Sequence, residues 1–305
     1  MMSRPVPGLT PAIEDGALAA GAGMPRPRAR WARHTGFLVS AVLLLAMILL
    51  AVGASWIAPH DPYQQDLLTR LQPPVWYDGG NWNHPLGTDD LGRDYASRLI
   101  HGARISLFVG LAVVCISGLI GSVLGLAAGY FGGRVDTAIT FLITARLATP
   151  VILVALAVVA LRGASLGTVV SVLGLLLWDR FALVMRAEAQ RVRSADYVVA
   201  ARVQGASTMQ IILHEVLPNV ANSLVVVATL ELAHAIILES ALSFLGLGVP
   251  PPLPSWGLMI SEGKAQILFD PWLVTIPGAM IFVLVLSVNQ LGDGLRDISS
   301  PEARN

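Results

Sequence analysis

Charge is scarce in this sequence. Of its 305 residues, 13% are Asp, Glu, Lys or Arg, about half the roughly 25% of a soluble domain. Neither sign predominates, because 20 basic residues meet 20 acidic ones. That balance excludes a nucleic-acid binder built on a basic surface and an acidic disordered chain. Lysine is reduced to Lys264 and cysteine to Cys115. A lone cysteine in an apolar stretch excludes an intrachain disulfide and a cysteine metal framework. A phosphate-binding loop is also missing. Gly263-Lys264 is followed by Ala265, and Leu258 stands where such a loop needs glycine.

What the chain does have is apolar surface, 54% of its residues. So few polar side chains leave the excess to face lipid, and the chain reads as an all-α polytopic membrane protein. A spanning helix needs about 20 apolar residues. Six stretches qualify: Gly36 to Ile57, Ile105 to Phe131, Thr137 to Leu161, Leu166 to about Met185, Asn222 to about Leu247, and Trp272 to Leu291. The third is interrupted by Arg146, and the fifth carries Glu231, His234 and Glu239. Residues 1–35, rich in Pro, Gly, Ala and Arg to about 30, fit a disordered tail rather than a signal peptide, whose charged region is shorter.

Orientation follows the basic residues near span ends. With the N-terminus inside, 13 basic residues fall on cytoplasmic pieces, 6 on outer ones, and Arg146 in the membrane. Both termini are then cytoplasmic. The remaining pieces are an outer loop at 58–104, a core of five spans at 105–295 with a cytoplasmic loop at 187–220, a second outer loop at about 248–271, and a short tail at 296–305.

Gly121, Gly125 and Gly129 recur every four residues in the second span, with Gly118 close by. They form a face on which another helix can approach closely, inside this chain or across a subunit boundary. The 187–220 loop is patterned as two helices. One runs from Ala187 to Val203, and Gly205 suits a left-handed turn past its end. Ser207 and Gln210 fit a capping box opening a second helix that stops near Pro218. Ala200 and Ala201 sit just before the bend, where small side chains admit another protein's surface. A hairpin capping its own bundle has the same pattern.

Four segments then carry a resemblance. DYVVAARVQGASTMQIILHEVLPN (196–219) resembles the EAA loop of ABC-importer permeases. HPLGTDDLGRDYASRLIHGARISL (84–107), ALSFLGLG with PPLPSWG (241–257) and NQLGDGLRD (289–297) resemble the dipeptide/oligopeptide/nickel group of that family. The resemblance implies a type I ABC-importer permease fold in a bacterial plasma membrane, surrounded by lipid. It implies four kinds of partner: a homologous second permease, two ABC ATPases, an extracytoplasmic binding protein, and peptide as substrate. ATP and Mg would be held by the ATPases and no cofactor by this chain, a transport subunit without catalysis of its own. Tyr197, Ala200, Ala201, Arg202, Gly205, Ala206, Ser207, Leu217, Pro218 and Asn219 are the implied ATPase-coupling residues. The chain departs from the family at Val199, which replaces the usual glutamate, and at Glu215, which replaces a common histidine. Phe141 and Thr144 stand where an Arg and an Asp often do.

Arg146, Glu231, His234 and Glu239 are candidates for the translocation path, since ionisable groups in spans face a watery cavity or one another. Arg146 is expected either to meet substrate carboxylates or to pair with Glu231 or Glu239. Glu231-x-x-His234 has a spacing that metals use in bundles, and also that of a buried polar pair. Trp76, Trp82 and Pro250 to Trp256 are expected to form stiff surfaces at the membrane edge, as anchors or as contacts for the binding protein. Two other functions compete. An intramembrane serine protease would need Ser165 or Ser207 near His234. An ion-coupled secondary transporter would show broken helices and internal repeats, and no repeat relates 36–161 to 166–291.

Overall fold

The computed structural model describes residues 28–299, with side chains described over 35–297. Helix α1 is Arg28–Val52 and a short α2 is Ala54–Ile57. The expected tail at 1–35 therefore lies outside the described residues up to 27, and helix already runs from Arg28. After an outer segment without long helices come α3 (Tyr95–Phe131), α4 (Gly133–Leu147), α5 (Val151–Arg162), α6 (Leu166–Leu176) and α7 (Asp179–Arg193). They are followed by α8 (Asp196–Val203), α9 (Thr208–Phe244), α10 (Trp256–Gly263) and α11 (Trp272–Ser299). No strand occurs among the described residues.

Six expected spans correspond to five long apolar helical segments plus a bent pair. The pair is α4 and α5, joined at Ala148–Pro150 with an 82° bend. Thr137 to Leu161 is therefore not one straight span. Pro150 disfavours helical geometry at Thr149 and supplies no N–H, so the ladder stops there. The fourth segment breaks as well, between α6 and α7 at Leu177–Trp178.

Two helices run far beyond their apolar stretches. Helix α3 has 37 residues and is about 55 Å long at 1.5 Å per residue. It begins ten residues before Ile105, inside the expected outer loop, where the Asp94 carboxylate accepts the Ser97 N–H at 2.7 Å. Helix α9 likewise starts at Thr208, within the loop at 187–220, and passes through Pro218 instead of stopping there. The passage has a cause. Over Ile211–Val216 the helix widens, and the Leu217 N–H reaches back to the Ile212 carbonyl. A widened turn relieves the clash between the proline ring and the preceding turn.

Helix α3 threads the interior. Its first turns contribute Tyr95, Leu99 and Ala103 to a core with Trp256, Met259, Leu273 and Leu284. Val109 and Val113 pack with Val159, Val169 and Leu173, and Tyr130 packs at the last turn with Met185, Ala189 and Val198. Helix α1 lies at the periphery: only 17% of its apolar stretch is buried, and Leu38, Val42 and Leu49 are exposed.

The glycine face packs inside the chain. A Cβ on Gly121, Gly125 or Gly129 would stand 2.3, 2.5 and 2.5 Å from the carbonyl oxygens of Trp178, Ala182 and Arg186. Backbone meets backbone along the whole α3–α7 contact. We expect Gly125→Ala to lower stability by about 1–3 kcal/mol, the usual cost of overpacking, read as a lower Tm of the purified protein. Gly167→Ala on α6, where a Cβ meets nothing within 4 Å, should leave Tm unchanged.

Candidate coupling loop and membrane path

Helix α7 ends at Arg193, whose guanidinium donates to the Tyr130 carbonyl at 2.8 Å and so closes the end of α3. Ser194 and Ala195 then turn the chain. The single helix expected over Ala187 to Val203 is therefore two, and α8 stands alone as an eight-residue element. Val198 fixes it to the bundle, fully buried beside Val192, Ile211 and Val216. The Arg202 guanidinium lies over the Tyr130 ring at 5.9 Å. Tyr197, Val199, Ala200 and Val203 face solvent, with Val203 83% exposed.

The bend after α8 is tightly specified. Gly205 has φ +86° with open space around it, so backbone conformation rather than room requires glycine. Its N–H donates to the Arg202 carbonyl and the Ala206 N–H to the Ala201 carbonyl, both at 3.1 Å. These bonds satisfy the helix end. Ser207 then opens α9 with the expected capping box: its hydroxyl accepts the Gln210 N–H at 3.3 Å, and its own N–H donates to the Gln210 side chain at 2.8 Å. Leu217 is half-buried, Pro218 is exposed, and the Asn219 amide donates to the Glu215 carbonyl at 2.6 Å. All ten expected coupling residues thus lie on α8, its bend and the first turns of α9.

The four membrane candidates do not form one site. Glu231, 1% exposed, pairs with Arg180 at 3.0 Å and with the His234 ring at 3.3 Å. Glu239 is equally buried and turns outward instead, accepting from Ser243 at 2.7 Å and Ser255 at 3.1 Å. Ser255 also caps α10, so Glu239 ties the fifth span to the outer lobe. Arg146 meets neither glutamate. Its Nε donates to the Leu176 carbonyl at the end of α6, and Nη1 donates to the Thr149 carbonyl at the α4–α5 break at 3.3 Å. The expected ion pair is replaced by capping, because two broken helices leave carbonyls that lipid cannot satisfy.

Several important residues were not singled out by sequence reasoning. Arg180 is the partner of Glu231. Arg186 grips Asp136 at both carboxylate oxygens, joining α7 to α4. Around the start of α3, Asp89 accepts from Arg93 at 2.6 Å and also from Arg98, while Glu262 of α10 pairs with Arg98 at 2.8 Å and Arg93 at 3.3 Å. The signal was the run Asp89 to Arg98, where carboxylates and guanidiniums recur near one helical turn. Trp256 is a further correction. It is fully buried, with its ring N–H on the Leu99 carbonyl at 2.9 Å, and offers no surface to a partner. Trp76 and Trp82 are exposed as expected.

The model of the binding-protein-dependent transport system inner membrane component matches residues 121–305, and that of the N-terminal TM domain of oligopeptide transport permease C matches residues 28–74. The chain belongs to the binding-protein-dependent transport permease family. It is 42% identical to the dipeptide transport system permease protein DppC of Escherichia coli K12, over 89% of this chain and 91% of that protein. It is 41% identical to the di/tripeptide transport system permease protein DppC of Pseudomonas aeruginosa, over 90% of this chain and 91% of that one. Among solved structures, an inward-facing MetNI methionine ABC transporter chain superposes with a TM-score of 0.55 at 16% identity, covering 67% of this chain and 97% of that chain. That likeness shows the fold, an ABC-importer permease crossing the membrane several times.

Membership also disposes of the two competing classes. Ser165 and Ser207 serve as helix caps, and His234 is engaged with Glu231. The broken helices that would suit a secondary transporter are here, but in a chain whose relatives are importer permeases. We expect Arg146→Ala to cost about 1–3 kcal/mol for each carbonyl left unsatisfied. Combined with Glu231→Gln, the Tm losses should add. Strong coupling between the two would place them in one network.

Proposed function

We propose that this chain is the membrane-spanning permease of an ATP-driven importer for dipeptides or oligopeptides. The observation that carries this reading is α8: a short helix locked to the bundle by Val198, with Tyr197, Val199, Ala200 and Val203 presented to solvent. Two ATPase subunits supply the energy, holding ATP and Mg, and their closure pushes on α8. Tyr197, Ala200, Ala201 and Arg202 make the contact. Gly205, Ala206 and Ser207 hold its angle, and Leu217, Pro218 and Asn219 carry the displacement into α9.

The motion has a stiff path. Helix α8 is tied through Val198 and Val192 to α7, and α7 is tied by backbone contact to α3. Displacing the cytoplasmic loop moves the spans as bodies and exposes a path alternately to either side. A second, homologous permease supplies the other wall of that path, with the termini of both chains in the cytoplasm. A binding protein delivers substrate to the outer lobe. Peptide is favoured over nickel because the relatives at about 40% identity are named for di- and tripeptide transport. Glu231 with His234, and Glu239, are the chain's polar contributions near the path, while Arg146 holds the broken spans around it.

The coupling role predicts that Ala201→Trp, or Gly205→Trp, abolishes peptide-stimulated ATP hydrolysis in the reconstituted complex or releases the ATPases on purification. Full coupling with either bulky residue would contradict docking at α8. A reconstituted wild-type complex should hydrolyse ATP faster with dipeptide and not with Ni²⁺.

A further inference from the structure

The outer lobe holds a grouping of side chains that the transport reading does not use. His60 follows α2, His84 lies in the outer segment, and Asp94 caps α3. One ligand atom from each lies within 4.8 Å of the other two. The His84 Nδ1 is 2.8 Å from Asp94 Oδ1, and the His60 Nδ1 is 3.6 Å from that same oxygen. The imidazoles face each other, with ring centroids 4.9 Å apart.

We propose that His60, His84 and Asp94 bind a divalent cation of the zinc class. Three features support this. Both histidines direct the same ring nitrogen at one carboxylate oxygen, yet only the His84 nitrogen is within hydrogen-bond reach of it. A cation among the three atoms satisfies them all. The carboxylate is also oriented from behind, since Oδ2 accepts the Ser97 N–H, and the His60 backbone N–H donates to the Ser97 hydroxyl at 2.9 Å. Supports of this kind fix the ligands of metal sites. Finally, exposure is graded. The Asp94 side chain is 1% exposed, that of His84 18% and that of His60 41%, leaving an entry from the outer solution.

The geometry needs little adjustment. Tetrahedral zinc with bonds of about 2.0–2.1 Å sets its ligand atoms ~3.3 Å apart. His84 must back away from Asp94 slightly, and the exposed His60 ring must swing inward. Water completes the coordination shell. Imidazole and carboxylate select zinc, nickel or copper over calcium and magnesium. A bound ion pins the exit of the first span to the start of α3.

The test is Zn²⁺ titration of the untagged full-length chain, purified in detergent and stripped with chelator, by calorimetry and by metal analysis after gel filtration. One equivalent should bind, Zn²⁺ should raise Tm, and Mg²⁺ should do neither. His60→Ala, at an exposed ring, should weaken binding at least tenfold and remove the Tm shift. His84→Gln, which keeps a polar partner for Asp94, should do the same. Failure of the wild-type chain to retain zinc would overturn the proposal. Binding unchanged in both variants would overturn it equally, placing the ion elsewhere.

Discussion

The contact on which the rest of the structure depends is the backbone-to-backbone approach of α3 and α7. Lipid gives apolar side chains no reason to leave it, so helices associate through close packing. Gly121, Gly125 and Gly129 allow that packing because they hold no atoms between the two backbones. The carbonyls of Trp178, Ala182 and Arg186 occupy the space that side chains would fill. The elements at the Tyr130 end of α3 gather around this seam. Arg193 closes the end of α3, Arg186 reaches α4 through Asp136, and Val198 seats α8 in the same cluster as Tyr130.

A second constraint is the demand that every backbone polar group in lipid find a partner. Straight helices meet it alone, but this chain breaks two spans and carries Pro218 through α9 just before a third. Each departure has its own remedy. Arg146 donates to carbonyls at both breaks, and the widened turn before Pro218 keeps α9 continuous. The ionisable residues in the membrane are mostly used in this way, as structural donors and acceptors. Glu239 is an example, holding Ser243 in its own helix and Ser255 at the start of α10.

Much of this was legible in the residues. Hydropathy marked six apolar stretches, of which five match long apolar helical segments and one a bent pair. The capping box at Ser207 and the left-handed turn at Gly205 were readable because short-range geometry decides them. Hydropathy said nothing of helix continuity through polar sequence, so the start of α3 at Tyr95 and the run of α9 on through Pro218 went unseen. The 82° bend had its signal in Thr149-Pro150, masked by the apolar residues on either side. Arg146 was correctly singled out as costly in the membrane. Its partners were not, since a backbone carbonyl thirty residues away leaves no mark in the sequence. Trp256 misled for a related reason: an aromatic among prolines suits a surface, and only the fold places it against Leu99.

The central claim is that α8 is the element through which this permease meets its ATPases. Disulfide crosslinking tests it most directly. Cys115 is exposed, so it is first replaced by Ala. A single cysteine is then placed at Ala200 in the complex with cysteine-scanned ATPase subunits. The account predicts a crosslink from position 200 whose yield changes with bound nucleotide. No crosslink from position 200, with one forming instead from cysteines on the exposed face of α7, would contradict it.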